Sequence, residues 1–284
     1  MKEKEKLAAA YAAKRAEEEE QSKRLDGRIL MMLTKLEGDC TPKEYSTSGL
    51  ELGPARTRIL ASQVAYNHTL THLHLSRSGI KDEDGGYVAK ILYNNTSLRK
   101  LELEGNNLGP KSAKEFGKAL RINKTLQFLD LESNQLTADG EDFPGVIELI
   151  QSLEVNKSLI SLNLGNNKLE QPIGAAIRQM LEKNKTLIDL EVGFNNFTLS
   201  DTRKIQERLK ANKALHDAER LKEWMERKLM RNEDENLQAK YLKEQSKTEE
   251  LRMEAETKEL REAQIEEKWK KFVVESAIEK EMQI

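Results

Sequence analysis

The chain has 284 residues, of which 34% are charged and only 5% are aromatic, so a part of it cannot be packed in a core. Its 47 basic and 49 acidic side chains nearly cancel, which argues against the global basic field of a nucleic-acid or membrane-surface binder. Cys40 is the only cysteine, and neither an apolar signal segment nor a membrane-spanning run is present, so we expect an intracellular protein without disulfides.

The N-terminal part divides into a polar helix and a cap. Residues 1–24 contain good helix formers but no apolar stripe, so we expect a solvated N-terminal helix. We predict that residues 25–66 form an N-terminal cap with a degenerate repeat, whose strand half at residues 45–49 has lost its leucines. The cap opens with an apolar helix face that needs a partner surface, formed by Leu25, Ile29, Leu33 and Leu36.

A short phrase, Asn-x-(Thr or Ser)-Leu, recurs through residues 67–215. A fixed interval predicts a solenoid of repeated units, here five, each of which buries its apolar face against its neighbours. We expect each asparagine to end a helix in the left-handed conformation that Asn tolerates. The asparagines, at intervals of 28, 28, 33, 28 and 28 residues, are Asn67, Asn95, Asn123, Asn156, Asn184 and, in an altered last copy, Asn212.

Each unit follows the pattern Leu-x-x-Leu-x-Leu-x-x-Asn-x-Leu and continues with an amphipathic helix. The pattern is complete from Leu98 to Leu108 and from Leu126 to Leu136. On these residues the segment resembles leucine-rich repeats of the ribonuclease-inhibitor class. The resemblance implies an α/β solenoid with parallel strands on the concave face and helices on the convex face. An N-terminal helix and a long C-terminal helix flank it.

A second set of asparagines recurs where each strand ends. Their amides are predicted to bond backbone groups of adjacent turns that parallel stacking leaves unpaired. Ser78 stands at this position in the first unit, where we expect a weaker turn. The asparagines of this set are Asn106, Asn134, Asn167 and Asn195.

One unit is longer by five residues, around Glu141 to Gly145. Insertions in repeats form loops on one rim, so we expect a loop here. Phe143 in this loop either packs under the following helix, which we favour, or is offered to a partner.

Side chains between the leucines of each strand point to the concave face. There six carboxylates face one lysine, so the remaining basic charge of the repeats is expected on the convex side. We predict a groove for a basic protein surface or helix, with two phenylalanines as apolar anchors. The predicted binding residues are Lys100, Glu102, Glu104, Phe128, Asp130, Glu132, Asn163, Asp189, Glu191 and Phe194.

No catalytic, cofactor-binding or metal-binding constellation emerges from the sequence. His72 and His74 point the same way but lack a third ligand. The concave carboxylates have no hydrophobic pocket that would raise a pKa, and no glycine-rich phosphate loop is present. We therefore expect a non-enzymatic protein without cofactor, metal or small-molecule substrate.

Residues 216–284 contain neither Gly nor Pro and carry opposite charges at helical spacing, which predicts a long charged helix. Its heptad ladder has charged rungs, so a single helix and a coiled coil both remain open. A first apolar cluster, predicted to cap the last repeat, comprises Leu221, Trp224, Met225 and Leu229. A second, predicted to dock on another protein, includes Ile265, Trp269, Phe272 and Val273.

The run over residues 181–197, followed by a helix, is also similar to the final repeats of tropomodulins, which regulate actin filaments. The sequence favours a non-enzymatic scaffold whose solenoid docks a partner and whose C-terminal helix bridges to a cytoskeletal assembly such as the ciliary axoneme. The alternatives are a soluble regulator or inhibitor that binds an enzyme or GTPase through the acidic concave face, and a tropomodulin-like actin regulator.

Overall fold

The structure is a computed structural model that describes residues 27–281, without the side chains of residues 28, 265, 267 and 269–281. The helix predicted over residues 1–24, and Leu25, lie outside the described residues. The chain forms two compact units, Met1–Ala218 and Glu219–Ile284. None of the described helices is long and apolar enough to cross a membrane.

Strands and helices alternate through the first unit. The six short strands form one parallel sheet in chain order, which confirms the predicted α/β leucine-rich repeat solenoid. The elements are α1 (Gly27–Glu37), β1 (Glu44–Ser46), α2 (Gly53–Tyr66), β2 (His72–His74), α3 (Asp82–Asn94), β3 (Lys100–Glu102), α4 (Pro110–Ile122), β4 (Phe128–Asp130), α5 (Pro144–Ser152), β5 (Ser161–Asn163), α6 (Gln171–Lys183), β6 (Asp189–Glu191) and α7 (Leu199–Glu281).

The core lies between the sheet and the helices. The central residue of each strand points inward, and from β2 to β6 it is a buried leucine. The pairing register places these leucines side by side, for example Leu73 opposite Leu101 and Leu101 opposite Leu129. Fully burying a leucine contributes about 1.5–3 kcal/mol, so each turn of the repeat adds its own share of apolar stabilisation.

The cap forms strand β1 although its repeat lacks the leucines of the other strands. Tyr45 of β1 takes the place of the inward leucine and pairs with Leu73 of β2. Helix α1 buries its apolar face as predicted, and Met32 joins it with no exposed surface. The buried residues of α1 are Ile29, Met32, Leu33 and Leu36.

The asparagines that end the helices are not left-handed, so that prediction is wrong. Asn67, Asn95 and Asn123 are extended, with φ of −78°, −73° and −65°. An extended backbone lets the buried amide join neighbouring turns. Asn123, for example, donates through Nδ2 to the carbonyl oxygens of Leu92 and Asn95, while its Oδ1 accepts from the amides of Thr125 and Leu126.

The strand-exit asparagines form a second ladder, as the sequence predicts. Asn106 accepts from the amides of Ser78 and Ile80 and donates to the carbonyls of Leu75 and Leu103. Ser78 itself is buried, and its hydroxyl donates to the Thr47 carbonyl over 3.2 Å. A serine therefore still connects the first turn to the cap.

The five-residue insertion reshapes one repeat. It forms a turn with positive φ at Ala138, Asp139 and Gly140, and α5 spans nine residues whereas α4 and α6 span 13 each. Phe143 is half-buried and packs against the core, which confirms the prediction that it lies under the helix. The loop thus offers no aromatic side chain to a partner.

Glycines let neighbouring helices approach closely. A Cβ on Gly117 of α4 would lie 2.8 Å from the Leu149 amide nitrogen and 2.9 Å from the Glu148 carbonyl carbon of α5. On Gly145 it would lie 2.1 Å from the Pro110 carbonyl oxygen. Only residues without a Cβ fit where one helix backbone touches the next.

Helix α7 begins in the first unit with an N-cap: the Asp201 amide donates to the Thr198 hydroxyl oxygen, and the Thr198 hydroxyl donates to the Asp201 carboxylate. Ile205 and Leu209 are buried there. In the second unit the side chains of the predicted cap cluster are 52–62% exposed, and the capping role stays a prediction; the cluster members are Leu221, Trp224, Met225 and Leu229.

Candidate protein-binding face

The outward side chains of the strands form continuous rows across the sheet. His72 lies opposite Lys100, and Lys100 opposite Phe128, while His74, Glu102 and Asp130 align in the next row. The register β4–β5–β6 extends these rows to Ser161 and Asp189, and to Asn163 and Glu191. The structure therefore brings together the strand side chains of the predicted binding face.

The rows start at a residue outside the predicted binding face. Glu44 of β1 lies opposite His72, and its Oε1 is 2.9 Å from His74 Nε2. A step of 28 residues back from His72 would have found it. The concave face therefore begins one turn earlier than predicted.

Cations neutralise the β2–β3 half of the face. The Glu102 carboxylate accepts hydrogen bonds from His74 Nδ1 and from Lys100 Nζ, the latter over 2.5 Å. Partial burial acts to raise the pKa of Glu102, but these hydrogen bonds outweigh burial and hold the pKa below its ordinary value. Arg77 pairs with Glu104 over 2.9 Å, so this half has little net negative charge to offer.

The β4–β6 half keeps its negative charge. Its carboxylates accept hydrogen bonds from neutral groups: Asp130 from the Glu132 amide, Glu132 from the Asn163 side chain, and Asp189 from the Ser161 hydroxyl. None of them pairs with a cation of the described residues. We call this set the acidic patch; it comprises Asp130, Glu132, Asp189 and Glu191.

The environment of Asp130 differs from the sequence-based expectation that no concave carboxylate has a raised pKa. Burial raises the pKa of Asp130, and the neighbouring carboxylates of Glu132, Glu104 and Glu102 add to the effect. The hydrogen bond from the Glu132 amide opposes the rise without cancelling it. Ionised Asp130 is therefore an unfavourable charge that a cationic partner would stabilise.

This assignment predicts a pH-dependent effect of Asp130→Asn. The folded state holds the Asp130 proton more tightly than the unfolded state, so wild-type stability falls as pH rises from the ordinary Asp pKa, about 3.9, through the raised folded value. We expect the variant, whose Oδ1 still accepts the backbone bond, to melt at a higher temperature at neutral pH. The difference should vanish below about pH 4. A constant difference across pH in calorimetry would contradict the assignment.

Two phenylalanines border the acidic patch. Phe128 lies at the start of β4 and is 39% exposed, while Phe194 follows β6 and is 90% exposed. Phe194 also has a left-handed backbone, with φ of 57°. An aromatic residue in this conformation is a genuine outlier, and burial does not compensate it.

The conformation of Phe194 belongs to a column that crosses the sheet. The equivalent residue of every turn is left-handed: Gly49, Arg77, Gly105, Ser133, Asn166 and Phe194. Glycine has no Cβ to clash and asparagine can bond locally through its short side chain, so both suit this position, whereas other residues pay about 1–2 kcal/mol. Phe194 is thus the least suitable residue of the column for stability, and it is the most exposed aromatic side chain among those that the structure describes.

The remaining predicted site residues lie elsewhere. Ile265, Trp269, Phe272 and Val273 belong to α7, and their side chains are outside the described part of the chain. Among the described residues, no three His, Cys, Asp or Glu side chains are grouped to hold a metal ion.

Comparison with known proteins supports the repeat architecture. The Leucine Rich repeat family model matches residues 66–89, 94–117 and 123–140. The chain is 25% identical over 108 residues to the Protein phosphatase 1 regulatory subunit 37 homolog of Caenorhabditis briggsae. That match covers 38% of this chain and spans only 12% of the length of the relative.

Among solved structures, leiomodin-1 actin-binding site 2 has a TM-score of 0.46 and 16% identity, covering 68% of this chain and 94% of that one. The tropomodulin C-terminal domain of Caenorhabditis elegans has a TM-score of 0.46 and 17% identity, covering 68% and 98%. Likeness at this level carries no argument about function.

Proposed function

Since the chain is a leucine-rich repeat protein, we propose that it is a non-enzymatic scaffold that binds a basic protein surface or helix on the acidic patch. Its C-terminal helix bridges this partner to a cytoskeletal assembly such as the ciliary axoneme. The observation that carries the proposal is Phe194, a strained and exposed aromatic residue beside carboxylates that lack cationic partners.

Charge and apolar surface on this face suit the same partner. Four carboxylates without cations attract a basic surface and raise its association rate. Aromatic residues at the border supply the anchors that dominate binding energy in protein interfaces. The neutralised β2–β3 half neither attracts a basic surface nor supplies an aromatic anchor. The partner is therefore centred on β4–β6, with Phe128 and Phe194 at the edges of the contact.

The C-terminal helix supports the bridging role. Helix α7 spans 83 residues, and its described side chains beyond Ala218 are exposed, as expected for a segment that meets other molecules. Exposed apolar residues recur along it, including Leu237, Tyr241, Leu251 and Leu260. A second protein docks through Ile265, Trp269, Phe272 and Val273, or a second copy pairs with the helix as a coiled coil.

One observation favours a second function, that of a soluble regulator of an enzyme. The relative from Caenorhabditis briggsae is called a regulatory subunit of protein phosphatase 1, and the match covers 38% of this chain. In that role the acidic patch alone would bind the target, and the C-terminal helix would be dispensable.

Phe194→Asn tests the binding face. Asparagine tolerates the left-handed conformation, as Asn166 shows in the preceding turn. The free energy of unfolding of the variant should therefore be about 1 kcal/mol higher than that of wild type. Loss of the anchor should reduce partner capture about tenfold or more. The measurements are urea unfolding and crosslinking pull-down from a native cytoskeletal fraction, with Asn166→Phe as the matched reverse change.

Truncation after Leu215, followed by pull-down and by localisation in cells, separates the two functions. If the chain is a scaffold, truncation after Leu215 should keep capture of the concave-face partner but abolish localisation to the filament system. Unchanged localisation of the truncated chain would refute the bridging role and favour the regulator. Equal capture by wild type and Phe194→Asn would refute the binding face.

A further inference from the structure

A row of lysines lies on a different surface from the acidic patch: Lys124, Lys157 and Lys185 precede β4, β5 and β6, and Lys213 continues the row within α7. In the last four copies of the repeated phrase, the residue after the asparagine is a lysine, and each of these lysines is exposed. We call the row the lysine ladder; it comprises Lys124, Lys157, Lys185 and Lys213.

Hydrogen bonds fix the neighbours of the ladder in space. The preceding asparagines bond directly from turn to turn: Asn156 Nδ2 donates to the Asn123 carbonyl over 3.0 Å, and Asn184 Nδ2 to the Asn156 carbonyl over 3.2 Å. Asn212 Nδ2 continues to the Asn184 carbonyl over 3.0 Å. Lys124, Lys157 and Lys185 therefore lie on consecutive turns, and Lys213 follows Asn212 in α7.

The charge around the ladder is also positive. Arg121, Lys183 and Lys210 lie two or three residues before a ladder lysine, and Arg99 of the preceding turn donates to the Thr125 carbonyl over 3.5 Å. Two of these cations are paired, Arg121 with Glu148 over 3.0 Å and Lys183 with Glu154 over 2.7 Å, while Glu182 lies 3.9 Å from Arg208. Lys124, Lys157 and Lys213 form no ion pair within the described chain.

Helix capping explains only a part of this row. A cation near a helix C-terminus contributes about 0.3–1 kcal/mol, and Lys185 does donate to the Glu182 carbonyl over 2.9 Å. The last turns of α4 and α6, however, already contain Arg121 and Lys183. Further lysines on adjacent turns mainly repel each other.

Exposed apolar side chains lie next to the ladder. They occupy the position before the same asparagines, two residues from the lysines. Ile122 and Val155 are each 57% exposed, and Tyr66 is 71% exposed at the equivalent place of the first turn. The rim therefore combines a row of positive charges with exposed apolar surface. Contact of this apolar surface with water is unfavourable, as at protein interaction sites.

We propose that the lysine ladder binds an extended acidic polypeptide segment of a partner protein. Neighbouring turns are about 5 Å apart at the sheet and about 8–10 Å apart at the helices. An extended chain presents alternate side chains at about 6.6–6.8 Å, so successive carboxylates match successive lysines. Apolar side chains of the segment cover Ile122 and Val155.

A polypeptide fits this rim better than a nucleic acid. Single strands are held by basic grooves in which aromatic rings stack with the bases, and the turns that carry the ladder present Ile122 and Val155 where such rings would be needed. Branched aliphatic side chains pack instead against apolar residues of a peptide.

The probe is a fluorescein-labelled oligoglutamate peptide of about a dozen residues, long enough for four turns in extended form, measured by anisotropy with the full chain. We expect saturable binding at low salt that weakens toward physiological ionic strength. Replacing three ladder lysines (K124Q/K157Q/K185Q) should weaken it about tenfold or more. A second peptide with leucines at intervals should bind more tightly, and Ile122→Ser with Val155→Ser should remove that gain.

The matched control removes the same charge from exposed lysines elsewhere, with Lys35→Gln, Lys111→Gln and Lys114→Gln, and should bind within about twofold of wild type. Circular dichroism melting checks that both triple variants fold. Equal loss in control and ladder variants, no binding at low salt, or tighter binding of an oligonucleotide or of anionic vesicles would overturn the proposal. Since the acidic patch is untouched, Phe194→Asn should bind the peptide normally, which separates this surface from the proposed function.

Discussion

Asn156→Ala is expected to lower the free energy of unfolding of the repeat unit by about 3–5 kcal/mol. The buried Asn156 amide donates to the carbonyl oxygens of Leu120 and Asn123 and accepts from the amides of Ser158 and Leu159. Alanine removes all four bonds, and only the Asn123 carbonyl keeps another side-chain partner, the Ser158 hydroxyl at 3.4 Å. Each unsatisfied group costs about 1–3 kcal/mol, reduced where the turn relaxes.

Differential scanning calorimetry checks this effect, with Asn107→Ala as the control. Asn107 is exposed, and its backbone amide, which alanine retains, makes its bond to Ile80. The control should change stability by at most about 0.5 kcal/mol. If both variants melted alike, the asparagine ladder would not stabilise the stack.

Gly117→Ala should lower the free energy of unfolding by about 2–3 kcal/mol, even though alanine is the better helix former. The new methyl group would overlap the α5 backbone at Glu148 and Leu149. Backbone atoms cannot rotate away as a side chain does, so α4 and α5 must separate and lose packing.

The matched control is Gly86→Ala in α3, where a Cβ would meet only the Glu115 side chain at 3.7 Å. Because no clash opposes the higher helix propensity of alanine, the free energy of unfolding of this variant should rise by about 0.5–1 kcal/mol. Urea titration measures both variants. A stability gain for Gly117→Ala would show that the helices are not packed as closely as the structure has them.

The sequence predicts the fold well because the contacts repeat at a constant interval. A residue and its equivalent 28 positions later become neighbours in the sheet, so alternating leucines define both the core and the outward rows. For this reason Glu102, Asp130 and Glu191 are found on one face from the sequence alone. The same rule, applied to the cap, would also have found Glu44.

Other features depend on geometry that no pattern of residue types contains. The role of Asn123 as a bridge requires an extended backbone, whereas its residue type suggested a left-handed one. Neutralisation of Glu102 depends on where the long Lys100 side chain turns. The raised pKa of Asp130 depends on how far neighbouring side chains cover it.

Phe194 is an intermediate case. A single repeat does not reveal its backbone conformation, but aligning the turns places Phe194 with Gly49, Gly105 and Asn166, residue types that favour positive φ. The aromatic residue at this position is therefore a signal of strain as well as the apolar anchor that the sequence predicts.

The constant interval also makes the chain modular. Excising residues 95–122 would remove one whole turn and join Asn94 to Asn123, and the equivalent positions of all remaining turns would still be in register. His74 would then face Asp130 instead of Glu102, so the charge pattern would change while the architecture would not. Gene duplication or loss of such a unit could rewrite the binding face in one step, whereas the 33-residue unit cannot be exchanged in this way.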